Sequence, residues 1–294
     1  MAARTVAEKG GKVVCLNRKS QRVSDSTAKL QDAVPNGKFV NIECDLQDFA
    51  SVRKAAEQIK SKYKKLYCLS LNAGIMMTPD VATTDGCDPQ MQTNHLSHFL
   101  LAKELYPLLE AEAQANGDAR VVFHSSGARD MTKKGLEQQY FEKKGGNLGG
   151  DGTSMLFGGG RVRRYAQTKL ANSVMMHAMH EKLQAKQSKV RAIACHPGGS
   201  ATNLGDGIKL PLFEDFLMRH VIFRFFMQSA EDGTMGLLKG MMDPAAQSGV
   251  LYGPKNTVYG LAVETPPKAS EIGPEAMKML WEISEVTTGV TFVI

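Results

Sequence analysis

Six short apolar runs, separated by longer stretches of helical period, constrain the fold of this chain more than any single residue does. Lys12 to Asn17, Lys38 to Ile42, Leu66 to Leu71, Arg120 to His124, Val190 to Cys195 and Gly249 to Tyr252 read as strands. Residues 22–33, 47–61, 87–113, 162–185 and 230–242 read as helices, and another covers Pro274 to Glu285. Parallel neighbours need a crossover long enough to hold a helix, so this alternation predicts an α/β fold around a doubly wound parallel sheet.

A chain of 294 residues with 43% hydrophobic content can bury one large core, and no linker or repeat divides it, so a single domain over 1–294 is expected. Its five cysteines, Cys15, Cys44, Cys68, Cys87 and Cys195, are scattered without metal-type spacing. Several fall in or beside predicted strands, which predicts buried, reduced thiols with neither disulfide nor zinc. No apolar stretch reaches the length of a membrane span, and Met1 to Gly10 lack the apolar core of a signal peptide. A cytoplasmic or organelle-matrix location is expected. A net charge of +6 and the runs Lys60 to Lys65 and Arg161 to Arg164 raise the question of nucleic acid. No zinc-finger spacing, RNA-recognition aromatic block or basic repeat accompanies them, and lysines at a helix C-terminus complement its dipole, so no nucleic-acid partner is expected.

Chemistry enters with Tyr165-Ala-Gln-Thr-Lys169. On a helix these two side chains share a face. A nearby positive charge favours the phenolate, and so is expected to bring the tyrosine down from its ordinary pKa of about 10 toward a useful acid/base range. Such a pair is equipped to move a proton on or off an alcohol, although tyrosine four residues before lysine is also common on plain amphipathic helices.

Around that pair stand further blocks in a fixed order: Cys44-Asp45-Leu46, Leu71-Asn72-Ala73-Gly74, Asn94-His95-Leu96-Ser97-His98-Phe99, Val121 to Ser126, Tyr165 to Lys169 running into Leu170-Ala171-Asn172, and His196-Pro197-Gly198 with Thr202. Together they resemble the short-chain dehydrogenase/reductase family, most closely its retinol-dehydrogenase-like branch, from about residue 1 to about residue 289. The resemblance implies a Rossmann-like fold, from which the first strand and glycine-rich turn are missing in this chain. Residues 1–11 look like the end of the helix that should follow that turn. The missing strand would lie near the middle of the family's sheet, so two edges should be left unpaired and the chain rearranged or unstable. Met1 is accordingly expected to be an internal methionine of a truncated gene model or splice product.

For the cofactor, the resemblance implies NADP, with NADPH favoured over NADH. Arg18, assisted by Lys19, stands where NADP users place a base for the 2′-phosphate, with a solvated basic turn as the alternative. Asp45, followed by Leu46, would face the adenine, or else cap the helix beginning near Gln47. Asn72, Ala73 and Gly74 would pass beneath the adenosine, and Pro197, Gly198 and Thr202 would lie against the nicotinamide. Tyr165 would be the general acid in carbonyl reduction, Lys169 would lower its pKa and hold the nicotinamide ribose, and Ser126 would bind the substrate oxygen. Ser125 reads as structural. Asn94 would hold a water linked to Lys169, or would bridge neighbouring strands through its amide. His95, His98, His124 and His196 read as packing or hydrogen-bonding residues without metal-ligand spacing.

The gap of 39 positions between Ser126 and Tyr165 is much longer than the family's. Its glycines, Gly145-Gly146, Gly149-Gly150, Gly152 and Gly158-Gly159-Gly160, read as a flexible surface insertion over about 129–161, whether covering the substrate pocket or decorating the surface. Substrate choice would fall to the region of about 200–230. There Leu210 to Phe213, Phe216 to Met218 and Val221 to Met227 suit a lipophilic aldehyde, ketone or retinoid-like substrate. Core packing is the plainer use of that stretch, and peripheral contact with a membrane surface, with Arg219, His220 and Arg224 toward headgroups, is a third. Two other functions stay open: a non-catalytic family member acting as a binding or scaffold protein, and a protochlorophyllide-reductase-like enzyme. The family's helix-mediated dimers and tetramers imply an oligomer that such an insertion can block.

Overall fold

The computed structural model describes residues 1–132, 134–155, 158–199, 211 and 228–294. A short α1 (Ala2–Glu8) leads into β1 (Lys12–Asn17), α2 (Gln21–Ala33), β2 (Lys38–Glu43), α3 (Phe49–Lys62) and β3 (Cys68–Leu71). One turn, α4 (Pro89–Met91), passes through a π turn (Gln92–Leu96) into α5 (Ser97–Asn116), followed by β4 (Ala119–His124). Beyond the insertion come α6 (Gly160–Ala185), β5 (Val190–Cys195), α7 (Ala230–Met242), β6 (Leu251–Pro254), β7 (Ala262–Thr265), α8 (Ala269–Ile272) and α9 (Pro274–Thr288).

The strands form two sheets. β3-β4-β5-β6-β7 is five-stranded, parallel except for the antiparallel β7, and β1 pairs only with β2, in parallel. The α/β class is as expected, while the parallel sheet is interrupted: no ladder joins β1 to β3 among the described residues. One apolar cluster nevertheless reaches both sheets, with Ile42 and the partly buried Val14 and Leu16 on one side and Leu69, Val121 and Ala192 on the other.

Alternation along β4 and β5 divides the core. Val121, Phe123, Val190, Ala192 and Ala194 point into the cluster shared with α5 and α6. Val122, Ile193 and Cys195 turn to the opposite face, as period-two side chains must in a strand covered on both sides. There α7 lies close because it presents glycine: a Cβ on Gly240 would stand 3.1 Å from Val122 Cγ1 and 3.2 Å from Ile193 Cγ2. At the C-terminus Pro274 opens α9 and Gly289, at φ +67°, closes it, the usual asymmetry of helix ends. All five cysteines are free, with Cys44, Cys87 and Cys195 buried and Cys15 and Cys68 half-buried. No helix among the described residues is long and apolar enough to cross a membrane.

The insertion corrects the expectation of a flexible surface segment. Tyr140, Phe141 and Leu148 are buried in the main cluster, and Phe141 meets His95 edge-on with ring centroids 5.7 Å apart. Its glycines serve close packing: a Cβ on Gly159 would collide with Gly152 O, and one on Gly160 with Gly149 O. Arg164, 1% exposed, organises the segment from α6. Its Nη1 donates to Leu148 O (3.3 Å) and Gly150 O (2.9 Å), its Nη2 to Thr78 O (3.0 Å), and its Nε pairs with Asp88 Oδ2 at 2.9 Å. Asp80 completes the joint by accepting from the backbone N–H of Leu148 and Gly150.

Candidate active site

At the C-terminal end of β4 the chain turns sharply, and Ser126 caps the short 3₁₀ helix Gly127–Met131 by accepting from Ala128 N at 3.2 Å. Tyr165 lies in the second turn of α6, facing this corner, with its phenol beside the Ser126 side chain. One turn on, Lys169 Nζ lies 5.5 Å from the Tyr165 ring centroid and donates to His124 O at 3.2 Å. Tyr165 is 9% and Lys169 3% exposed. Ser125 has the structural part expected of it, since its Oγ donates to Lys169 O at 2.7 Å and so ties β4 to α6. Asn172 adds a second tie by donating to His124 O.

Asn94 sits in the π turn, where the extra residue turns its side chain toward α6. Its amide accepts from Ile75 N (2.8 Å) and donates to Ile75 O (2.9 Å) and Thr168 Oγ1 (3.0 Å). Both ends of that amide thus brace the loop after β3 against α6, which resembles the bridging alternative more than the water-holding one. The same loop brings Asn72, Ala73 and Gly74 to the site: a Cβ on Gly74 would stand 3.3 Å from Asn94 Oδ1 and 3.5 Å from Lys169 Nζ. His98 Nδ1 bonds Asn94 O at 3.0 Å and His95 Nε2 bonds Ser284 Oγ at 2.9 Å, so both histidines are engaged inside the core.

The electrostatics differ from the sequence expectation. Burial pushes the Tyr165 phenol up to about 12, and the Ser126 hydrogen bond offsets this only partly. Burial lowers Lys169 to about 8, because a low-dielectric site penalises phenolate and ammonium alike. With its pKa raised in this way, the Tyr165 phenol holds its proton at neutral pH.

The remaining sequence candidates are more dispersed. Arg18 and Lys19 line a surface groove of about 480 Å³ with Ser20, Gln31, Asn41 and Glu43, and none of Ser126, Tyr165 and Lys169 borders it. Asp45 does not cap α3. Asp48 does, accepting from Ala50 N, because the helix begins at Phe49 rather than near Gln47. Asp45 Oδ1 instead accepts from Gln47 N, closing a turn, while Leu46 O accepts from Ser97 Oγ. Pro197 O accepts from Gln228 Nε2, and Gly198, at φ +65°, is pressed against Val258 O where a side chain would not fit. Thr202 and the apolar stretch from Leu210 to Met227, except Pro211, lie outside the described residues. Arg164 is the contributor missed in the sequence, where it stood within a basic run weighed only for nucleic acid.

A nicotinamide ribose suits this corner. Lys169 has three N–H donors, and among the described residues His124 O is its one hydrogen-bond acceptor, leaving donors for a polyhydroxyl group where Gly74 lacks a side chain. In the turn from β1 into α2, which carries Arg18 and Lys19, the Ser20 hydroxyl caps α2.

The short chain dehydrogenase family matches residues 1–139. A short-chain dehydrogenase/reductase of Aspergillus calidoustus, drtF, is 31% identical over 228 residues, covering 74% of this chain and 68% of that one. Retinol dehydrogenase 14 of Homo sapiens is 29% identical over 263 residues, covering 86% and 68% respectively. The chain spans between 60% and 68% of the length of its first curated relatives. Among solved structures, an uncharacterized protein from Mycobacterium Paratuberculosis superposes with a TM-score of 0.71 at 26% identity, over 100% of this chain and 90% of that one. With the serine, tyrosine and lysine gathered at the end of β4, these likenesses make the chain a member of the short-chain dehydrogenase/reductase family.

Proposed function

We propose that this chain is an oxidoreductase that interconverts a carbonyl and an alcohol with NADP(H), on a lipophilic aldehyde, ketone or retinoid-like substrate. The observation that carries the proposal is the geometry of the corner, where Tyr165 and Lys169 are buried together with the lysine Nζ 5.5 Å from the phenol ring centroid. Ser126 orients the carbonyl oxygen, and Tyr165 delivers a proton to it as charge develops there. Lys169 holds the ribose hydroxyls and supplies positive charge next to the phenol as its proton leaves. NADPH, when bound, supplies the hydride. Arg18 and Lys19 favour the phosphorylated cofactor through charge, and the retinol dehydrogenase relative supports an apolar substrate.

NADPH consumption with retinal, long-chain aldehydes and, in dark and light, protochlorophyllide tests the substrate class. Tyr165→Phe is expected to lower turnover by about a thousandfold or more while leaving cofactor affinity within about twofold. Turnover retained by this variant removes Tyr165 from the chemistry. The groove around Arg18 and Lys19, bordered by none of Ser126, Tyr165 and Lys169, favours a second function, a binding or scaffold protein without cofactor. Fluorescence titration separates the two: submillimolar NADPH binding supports the oxidoreductase, and no binding by the folded chain supports the scaffold.

A further inference from the structure

Far from the site in sequence, α8 carries a buried carboxylate that touches both elements on which the proposed chemistry rests. Glu271 is 2% exposed. Its Oε1 accepts from Arg129 Nε at 2.9 Å and from Ser173 Oγ at 2.5 Å, and its Oε2 accepts from Lys268 N at 2.7 Å. Arg129, 4% exposed, spans the short distance to the catalytic corner, where its Nη1 donates to Ser126 O at 3.1 Å. Ser173 lies on α6 two turns after Tyr165. One carboxylate thus ties the backbone carrying Ser126 to the helix carrying Tyr165.

We infer that Glu271 and Arg129 are positioning residues: they hold the Ser126 hydroxyl in register with the Tyr165 phenol. This rests on the function proposed above. The geometry suits the task, because Arg129 is a rigid fork whose separate nitrogens reach Glu271 and the Ser126 carbonyl together. A buried pair of this kind contributes little net stability over an apolar replacement and is better suited to fixing one arrangement. Further charges surround the pair: Lys268 Nζ meets Asp130 Oδ1 at 2.5 Å, and Asp130 lies 3.9 Å from Arg129 Nε. The nearby His196 is held neutral, with a pKa lowered to about 4 mainly by burial, and His177 is likewise shifted down by burial.

Glu271→Gln preserves shape but can accept at only one end, so the joint to Arg129 and Ser173 or the joint to Lys268 N is lost. Two readouts decide the matter. In hydrogen exchange, the amides of Ala128 and Arg129, which donate to Ser126 Oγ and Ser126 O, should exchange about tenfold faster or more, with β4 and β5 unchanged. In turnover with retinal and long-chain aldehydes, kcat should fall about tenfold with KM within about twofold, and the same substitution should cost less than about twofold in a Ser126→Ala background. Arg129→Lys, which keeps the charge but cannot bridge both acceptors, should give the same pattern if the glutamine variant does not fold. Equal losses with and without Ser126, or unchanged exchange at 128–129, overturn the inference. If the unsubstituted chain reduces no carbonyl, the function proposed above fails, and the exchange measurement alone supports or overturns the joint.

Discussion

β4 and β1 are both six-residue apolar strands, yet five residues of β4 are buried and none of β1 is. The difference lies in their neighbours. β4 has ladders on both edges and helices on both faces, whereas among the described residues β1 pairs with β2 alone. Ser126, Tyr165, Lys169 and Asn94 all lie on the β3–β7 side, among side chains that burial holds in one arrangement. Arg18, Lys19 and Asp45 lie on the β1–β2 side, where the backbone has fewer partners. The proton-handling corner is therefore built on rigid ground, and the residues proposed for the adenosine end of the cofactor are not.

Acid should narrow this contrast most. Burial lowers the pKa of His98 and His124 to about 3 and of His95 and His196 to about 4, whereas residues 1–62 contain no histidine. Below about pH 6.5 the unfolded chain binds protons that the folded chain refuses, so stability falls as pH drops toward 4. Asp88 opposes this: burial raises its carboxyl to about 6, and the folded state holds that proton in the same window. The four histidines, joined by His177 and His180, which burial also shifts down, outweigh one carboxyl, so urea unfolding at pH 5 should show stability lower than at pH 7 by on the order of 6 kcal/mol. An unchanged or higher midpoint at pH 5 would break the assignment of neutral buried histidines.

Hydrogen exchange at neutral pH measures the contrast directly. Amides of β4 and β5 should exchange about a hundredfold slower or more than those of β1 and β2, since only the former open with the whole fold. Equal protection would mean that the interrupted sheet behaves as a single unit. A smaller effect should appear in matched truncations. Val121→Ala, at a fully buried position, should cost about 2 kcal/mol, and Val14→Ala, half-buried in β1, about 1 kcal/mol or less. Equal costs would show that β1 is as tightly packed as β4.

Element by element, the fold was legible where burial imposes a period. β1 and β5 fall on their expected residues because apolar runs bounded by turn residues have few other uses. β7, with its exposed Glu264 and Val263, lacks that period, and the four-residue α8 is too short to show one. The Ser126, Tyr165 and Lys169 set was visible because its spacing is local or belongs to ordered blocks. Arg164 and Glu271 were not, since their partners Asp88 and Arg129 lie 76 and 142 positions away. The phenol's protonation was misjudged because a neighbouring charge is visible in sequence and the depth of burial is not.

The glycines around Arg164 change how residues 149–155 and 158–160 should be regarded in variation and engineering. Gly149, Gly150 and Gly158 occupy positive φ, and Gly159 and Gly160 have no room for a methyl group. A stretch with the composition of a linker should therefore tolerate substitution as poorly as a central strand. A library that randomises it in search of a harmless grafting site would instead be sampling the foundations of the helix that carries Tyr165.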